Sequence, residues 1–512
     1  MTNKRRLALT PALIAGLLTA VFMQAGRPQA QQPAGARARS GPPNVLFVVF
    51  DDLNDWTGAT KGHPQAHTPA FDSVARRGAN FTSAHVQAPL CNPSRASFLS
   101  GLRPSTTGIY ALQPSVRTAL ANHPGLRDHV NLPGYFTERG YQTATVGKIF
   151  HVLEPEFRER EFQRWIDAGR GARPTARVAG GVLPPETPAS LATVMDWGPF
   201  PERDEDHGDY KVADAAIQQI RGMSRDKPFF LAVGFSLPHV PIFAPQKWFD
   251  RIPAGKAILP PLKGGDREDT PPFSWNLHWI LPEPRLSWYE KFKEEEPFVR
   301  AYLAGTSFVD AQFGRVLAAL TEAGLDENTI VVAFGDHGYH LGEKEISGKN
   351  TLWERSTHVP LVMAGPGVPR RDVNDPVELL DLYPTLVELA SLPARSGLEG
   401  RSLVPQLRGA RRTQPAITTA NQGNHAVRTK DWRYIRYADG SEELYDRRAD
   451  PNEWTNLAKD ASRRGTIRDL ARWLPKVDRP AVPGSTSRAL TRGTDGQWLW
   501  EGKPIVPSEV IK

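Results

Sequence analysis

Four short apolar runs, Asn44–Phe50, Tyr141–Val146, Phe229–Phe235 and Thr329–Phe334, each stop at residues suited to metal binding or acid–base chemistry. Such runs, apolar at nearly every position rather than at alternate ones, are the pattern of strands buried on both faces of a parallel sheet. The first ends at Asp51-Asp52 and the second at Gly147-Lys148-Ile149-Phe150-His151. The third ends at Pro238-His239-Val240-Pro241 and the fourth at Gly335-Asp336-His337-Gly338. Parallel strands place their carboxyl ends on one edge, where open α/β sheets bind ligands, so residues almost 300 positions apart are expected to converge. Helical periodicity between the runs, with Val212, Ala216, Ile220 and Met223 on one face and Tyr302, Val309, Phe313, Val316 and Leu320 on another, predicts an α/β fold. Asp381 as a cap and Pro384 in the first turn predict a further helix running to Leu392.

Residues 1–30 read as a secretory signal peptide: Lys4, Arg5 and Arg6 precede an apolar stretch from Leu7 to Met23, with small residues near Ala25 and Ala30. Export to the periplasm or the extracellular space is expected. Residues 31–43, rich in Pro, Gly, Ala and Arg, read as a disordered linker, 44–410 as a catalytic domain and 411–512 as a C-terminal subdomain. In that last region short alternating runs at 416–419, 425–429, 432–437 and 443–445, with an Asp439-Gly440 turn, predict a small antiparallel sheet followed by a tail. Of the formal +7 charge, six units fall on Lys4, Arg5, Arg6, Arg27, Arg37 and Arg39, with no acid before residue 43, so the rest carries +1. A nucleic-acid partner therefore has no electrostatic support. Nothing in the sequence specifies an oligomeric state.

Cys91, the only cysteine of the 512 residues, cannot form an internal disulfide. In Leu90-Cys91-Asn92-Pro93-Ser94-Arg95-Ala96-Ser97 it stands at a helix start, with Asn92 able to cap and Pro93 suited to the first turn. There the unpaired backbone N–H groups favour an anion on the side chain. A lone cysteine is more often simply a small buried hydrophobe. The wider pattern, Cys91-x-Pro93-Ser94-Arg95 with Ser97, Gly101, Arg103-Pro104 and Thr107, resembles the signature of the type I sulfatases. Val146–His151, Phe229–Pro241 and Thr357–Leu361 resemble segments of the iduronate-2-sulfatase branch, while Glu343–Arg355 departs from it.

The resemblance implies an alkaline-phosphatase-like fold, in which a large, mostly parallel sheet is sandwiched by helices. It implies a sulfuric ester hydrolase in which a formylglycine-generating maturase converts Cys91 to formylglycine. Metal ligands would be Asp51, Asp52, Asp336, His337 and residue 91 itself, holding Ca2+ with Mg2+ as the alternative. Arg95 would steady the modified residue, His239 and Lys349 would bind sulfate, and His239 would protonate the leaving alcohol. His151, near Lys148, would take the proton that lets sulfate depart. The expected substrate is a sulfated oligosaccharide, attacked from its non-reducing end; Trp275, Trp279 and Trp288 offer either a sugar platform or mere loop packing. Two rival readings are a phosphoester or phosphonate hydrolase of the same superfamily and a non-catalytic secreted carbohydrate-binding protein.

Overall fold

The computed structural model describes residues 41–179, 195–281 and 283–506. The expected leader and most of the linker lie outside the described residues. Nine strands form the main sheet: β1 (Asn44–Asp51), β2 (Ala79–His85), β3 (Gln142–Gly147), β4 (Arg164–Ile166), β5 (Phe229–Pro238), β6 (Thr329–Gly335), β7 (His358–Ala364), β8 (Arg371–Val373) and β9 (Val377–Glu378). Their order is β8-β2-β7-β6-β1-β5-β3-β4, with β9 also paired to β2. Only β7 runs against the rest, being antiparallel to both β2 and β6. The four apolar runs are thus β1, β3, β5 and β6, which lie side by side in the centre and point the same way.

Every residue of β1 is buried, because both faces are covered. Leu46, Val48 and Phe50 face the layer of α1 (Pro69–Arg77), α4 (Gly208–Gly222) and α5 (Glu295–Glu322), where Phe50 meets the rings of Phe71, Phe235 and Phe313. Val45, Phe47 and Val49 face the layer of α2 (Cys91–Ser100), α3 (Leu132–Glu138) and α6 (Leu382–Leu389). Phe47 there lies 5.1 Å from Phe334 and 6.0 Å from Phe98, ring centre to ring centre. The two-residue alternation of a strand thus serves two cores, and it removes any polar position from the run.

Four further strands, β10 (Ala416–Thr419), β11 (His425–Arg428), β12 (Trp432–Arg436) and β13 (Glu442–Asp446), make an antiparallel meander. The turn between β12 and β13 contains Gly440 at φ +88°, a conformation open to glycine without a Cβ penalty. One face packs Ala426, Ile435 and Tyr445 against Trp353 and Phe273, and the other packs Val427, Tyr434 and Leu444 against Leu470. Among the described residues no helix is long and apolar enough to cross a membrane.

Several local expectations are corrected. Asn92 does not cap α2: its amide donates to the carbonyls of Ala111 and Pro114, both at 2.9 Å, and the helix begins two residues before Pro93, at Cys91. Asp381 makes no side-chain cap to α6, because its carboxylate is taken by the Glu378 and Arg401 backbone N–H groups and by Arg412. The sugar platform is not formed: Trp279 and Trp288 are buried, and Trp275 lies with its face 3.3 Å from the Arg267 guanidinium. The tail holds a small three-stranded sheet over Leu490–Arg492, Trp498–Trp500 and Lys503–Pro504, for which the sequence carried no signal.

Candidate active site

The carboxyl ends of the four central strands meet the amino end of α2. Asp51 and Asp52 leave β1, Lys148 follows β3, His239 follows β5, and Asp336 and His337 follow β6. Close approach of β3 and β5 depends on two glycines: a Cβ on Gly147 would stand 2.0 Å from the Gly234 carbonyl oxygen, and one on Gly234 would stand 2.1 Å from that of Lys148. Gly147 also has φ +75°.

Arg95, one helical turn beyond Cys91, is fully buried and ties the strand ends together. Its Nε donates to Asp336 Oδ2 at 2.8 Å and its Nη2 to Asp51 Oδ1 at 3.2 Å. Its Nη1 donates to the carbonyls of Lys148 and Ile149. The Lys148 ammonium pairs with Asp51 Oδ2. Asp336 Oδ1 accepts the backbone N–H groups of Asp52 and His337, at 3.0 and 2.9 Å.

Cys91 is buried at the first position of α2. The Lys349 ammonium lies 3.2 Å from its sulfur and 2.7 Å from Asp52 Oδ1. His337 Nε2 lies 3.1 Å from the sulfur and 3.2 Å from Asp52 Oδ1, and His151 also hydrogen-bonds the thiol. Burial alone would raise the thiol pKa, but Lys349, Lys148 and His337 outweigh it and hold the group well below its ordinary value. Burial likewise opposes ionisation of Asp51, yet Lys148 with His239 and Arg95 keeps it well below the usual carboxylate range. His239 approaches from the open side, its Nε2 3.9 Å from Asp52 Oδ2. Burial would lower its pKa, and the Asp52 charge reverses that and raises it.

The residue set suits a hard divalent cation. Asp51, Asp52, Asp336 and His337 bring ligand atoms together around residue 91, and Asp52 Oδ2 is buried without a hydrogen-bond partner. A bare carboxylate oxygen is costly unless something positive faces it. Oxygen ligands in this number fit Ca2+ or Mg2+ better than a softer metal.

Each site residue read from the sequence is therefore in this cluster, Lys349 included, although its segment departs from the branch pattern. Tyr302 was read only as part of an apolar helix face. Its hydroxyl donates to the Asp52 carbonyl at 2.6 Å and accepts from Asn54 N at 2.9 Å, holding the turn after β1. A tyrosine where that face otherwise asks for Phe or Leu was the available signal.

The sulfatase family model matches residues 43–392, well over half of the chain. The protein belongs to the sulfatase family. A second model, for the C-terminal region of N-sulphoglucosamine sulphohydrolase, matches residues 342–479. A sulfatase of Formosa agariphila is 40% identical over 443 residues, covering 85% of this chain and 87% of the relative. A choline-sulfatase of Rhizobium meliloti is 29% identical, covering 91% and 94%. Among solved structures, a phosphonate monoester hydrolase from Silicibacter pomeroyi superposes with a TM-score of 0.67 at 21% identity, over 90% of this chain and all of that one. Another, solved with its substrate D-glucosamine-2-N,6-O-disulfate, gives 0.61 at 22% identity, over 85% and 97%. The structural likenesses establish the alkaline-phosphatase-like fold. Family membership makes the protein a sulfuric ester hydrolase; the iduronate-2-sulfatase branch is not established.

Proposed function

We propose that this sulfatase acts through formylglycine formed from Cys91 by a maturase, and releases sulfate from the terminal residue of an exported pathway's sulfated oligosaccharide. The observation that carries the reading is the setting of Cys91: a single buried thiol at a helix start, touched by Lys349, His337 and His151 above three convergent aspartates. Formylglycine would supply a hydrated aldehyde oxygen as nucleophile, and Asp51, Asp52, Asp336 and His337 would hold a divalent cation that favours ionisation there.

The remaining work falls to the chain's own groups. Arg95, held at both ends by Asp51 and Asp336, cannot rotate away and fixes the strand ends around residue 91. Lys349 and Lys148 place positive charge where a sulfate would lose its hydration. His239, whose pKa the Asp52 charge raises, stands on the open side and would deliver a proton to the departing alcohol oxygen. His151 accepts a proton at residue 91, which lets sulfate leave and restores the resting residue.

Access is narrow. The side chains of Lys148 and His239 are 23% and 24% exposed, whereas those of Asp51, Asp52, Asp336, His337 and Lys349 are 6% exposed or less. So buried a set favours one ester at a chain end, and the near-neutral charge beyond residue 42 offers no extended basic track for a polyanion. We take a 2-O-sulfated uronic acid at the non-reducing end as the first substrate to test.

Free sulfate is to be followed from sized sulfated oligosaccharides, their parent polymer and choline sulfate, and the released phenol from a matched aryl sulfate, phosphate and phosphonate. Turnover concentrated on short oligosaccharides and aryl sulfate supports the reading. Equal fractional desulfation of polymer and disaccharide removes the terminal pocket, activity on choline sulfate alone removes the carbohydrate, and faster phosphonate cleavage reassigns the reaction.

A further inference from the structure

The strand that carries His239 breaks its own pairing just before it. β5 follows β1 in register through Phe50 opposite Phe235, and then Asp51 stands opposite Pro238, so Ser236 and Leu237 have no partner on β1. On the other side the pairing with β3 ends at Gly147 opposite Gly234. Two backbone N–H groups are therefore left without a strand beside them, in a place where an unpaired donor costs free energy.

Asp209 takes both. Its Oδ1 accepts from Ser236 N at 2.8 Å and its Oδ2 from Leu237 N at 2.9 Å. Asp209 is 1% exposed, in the first turn of α4, and among the described residues pairs with no lysine or arginine. With Ser236 so held, its carbonyl accepts His239 N at 3.0 Å and closes the turn that presents the imidazole to Asp52. The neighbouring His207 secures the far side of the same loop: its Nδ1 accepts Asp209 N at 3.0 Å, and its ring hydrogen-bonds the Phe243 backbone.

We infer that Asp209 is a positioning residue for His239, its carboxylate standing in for the missing strand so that the imidazole meets the leaving oxygen of the substrate. This rests on the reading of His239 as proton donor. Asp209 touches neither substrate nor metal. Its role is to set the aim of a side chain two residues beyond the last of its contacts, and a small misplacement there weakens proton transfer more than binding.

The test compares 4-nitrophenyl sulfate, whose leaving group needs little protonation, with phenyl sulfate, whose leaving group needs it. The proteins are formylglycine-bearing wild type, Asp209→Asn, Asp209→Ser and His239→Ala. An amide oxygen or a hydroxyl can accept only part of what the carboxylate accepts. We expect kcat for phenyl sulfate to fall about tenfold or more in the Asp209 variants, against less than about threefold for 4-nitrophenyl sulfate, with KM and bound metal unchanged. His239→Ala should show the same selectivity, more strongly. Equal losses on both esters in the Asp209 variants, beside a selective loss in His239→Ala, overturn the positioning role alone. No selective loss in His239→Ala overturns the proton-donor reading itself. Failure of both Asp209 variants to fold assigns the residue to stability and also overturns the inference.

Discussion

Two clusters of buried charge face different fates in this molecule. One surrounds Cys91. The other lies between the catalytic part and the antiparallel meander, where Glu354 and Glu453 are gripped by Arg428, Arg433 and Arg447. Glu354 has Arg428 at 3.1 Å and Arg447 at 3.3 Å, with Arg433 closer still, and Glu453 has Arg433 at 2.5 Å and Arg447 at 3.3 Å. The second Glu453 oxygen accepts Glu354 N at 2.8 Å. Each acid there is ion-paired with guanidinium groups, although Glu453 Oε1 and the Nε atoms of Arg433 and Arg447 make no hydrogen bond, and among the described residues no thiol stands beside them. Around Cys91, by contrast, one Asp52 oxygen is bare, a thiol sits between an ammonium and an imidazole, and two cationic side chains open to solvent. A matched cluster holds parts together, whereas an incomplete one awaits a ligand.

If that contrast is sound, damage to the two clusters should separate activity from stability. The largest effect is expected of Cys91→Ala, which should reduce sulfate release to background while the denaturant midpoint stays near that of the wild type. Asp336→Asn should come next: it should lose both bound metal, by elemental analysis, and activity, with the fold retained. Full metal occupancy in that variant would mean that the carboxylates had been given the wrong task. Arg433→Met attacks the other cluster and should cost about 3 kcal/mol of stability by denaturant unfolding. The folded fraction should keep its specific activity; a loss of turnover with unchanged stability would erase the distinction.

A smaller effect concerns pH. Burial would raise the Glu354 pKa, but Arg428, Arg447 and Arg433 hold it well below the usual carboxylate range. A carboxyl whose folded pKa is depressed gives stability that is present above its unfolded value, about 4.3, and is lost as pH falls through the lower folded one. Glu354→Gln should therefore flatten the acid limb of the stability profile relative to wild type, below about pH 4.3. An unchanged slope would show that Glu354 is not the group being titrated there.

Much of the central architecture was legible in the chain because strands buried on both faces leave no polar alternation to confuse them. The residues that stop them, Asp51, Lys148, His239 and Asp336, mark the sheet edge at which open α/β folds bind ligands. What stayed hidden was whatever depends on a distant partner. Asn92 looks like a cap until the carbonyls of Ala111 and Pro114 claim it. The three tryptophans look like a sugar platform until burial and Arg267 account for them. Asp209 looks like any acid in a first helical turn, since nothing local reveals that β5 leaves two N–H groups unmatched nearby. The tail sheet joins strands of two or three residues, too short for any periodicity to register.

The most direct test lies at residue 91. Preparations made with graded amounts of a formylglycine-generating enzyme would differ in the fraction of Cys91 converted, which peptide mass spectrometry measures. Initial rates on an aryl sulfate, with metal in excess, should rise in proportion to that fraction and extrapolate to zero for the unmodified thiol. Full activity in protein whose Cys91 remains a thiol would contradict the account.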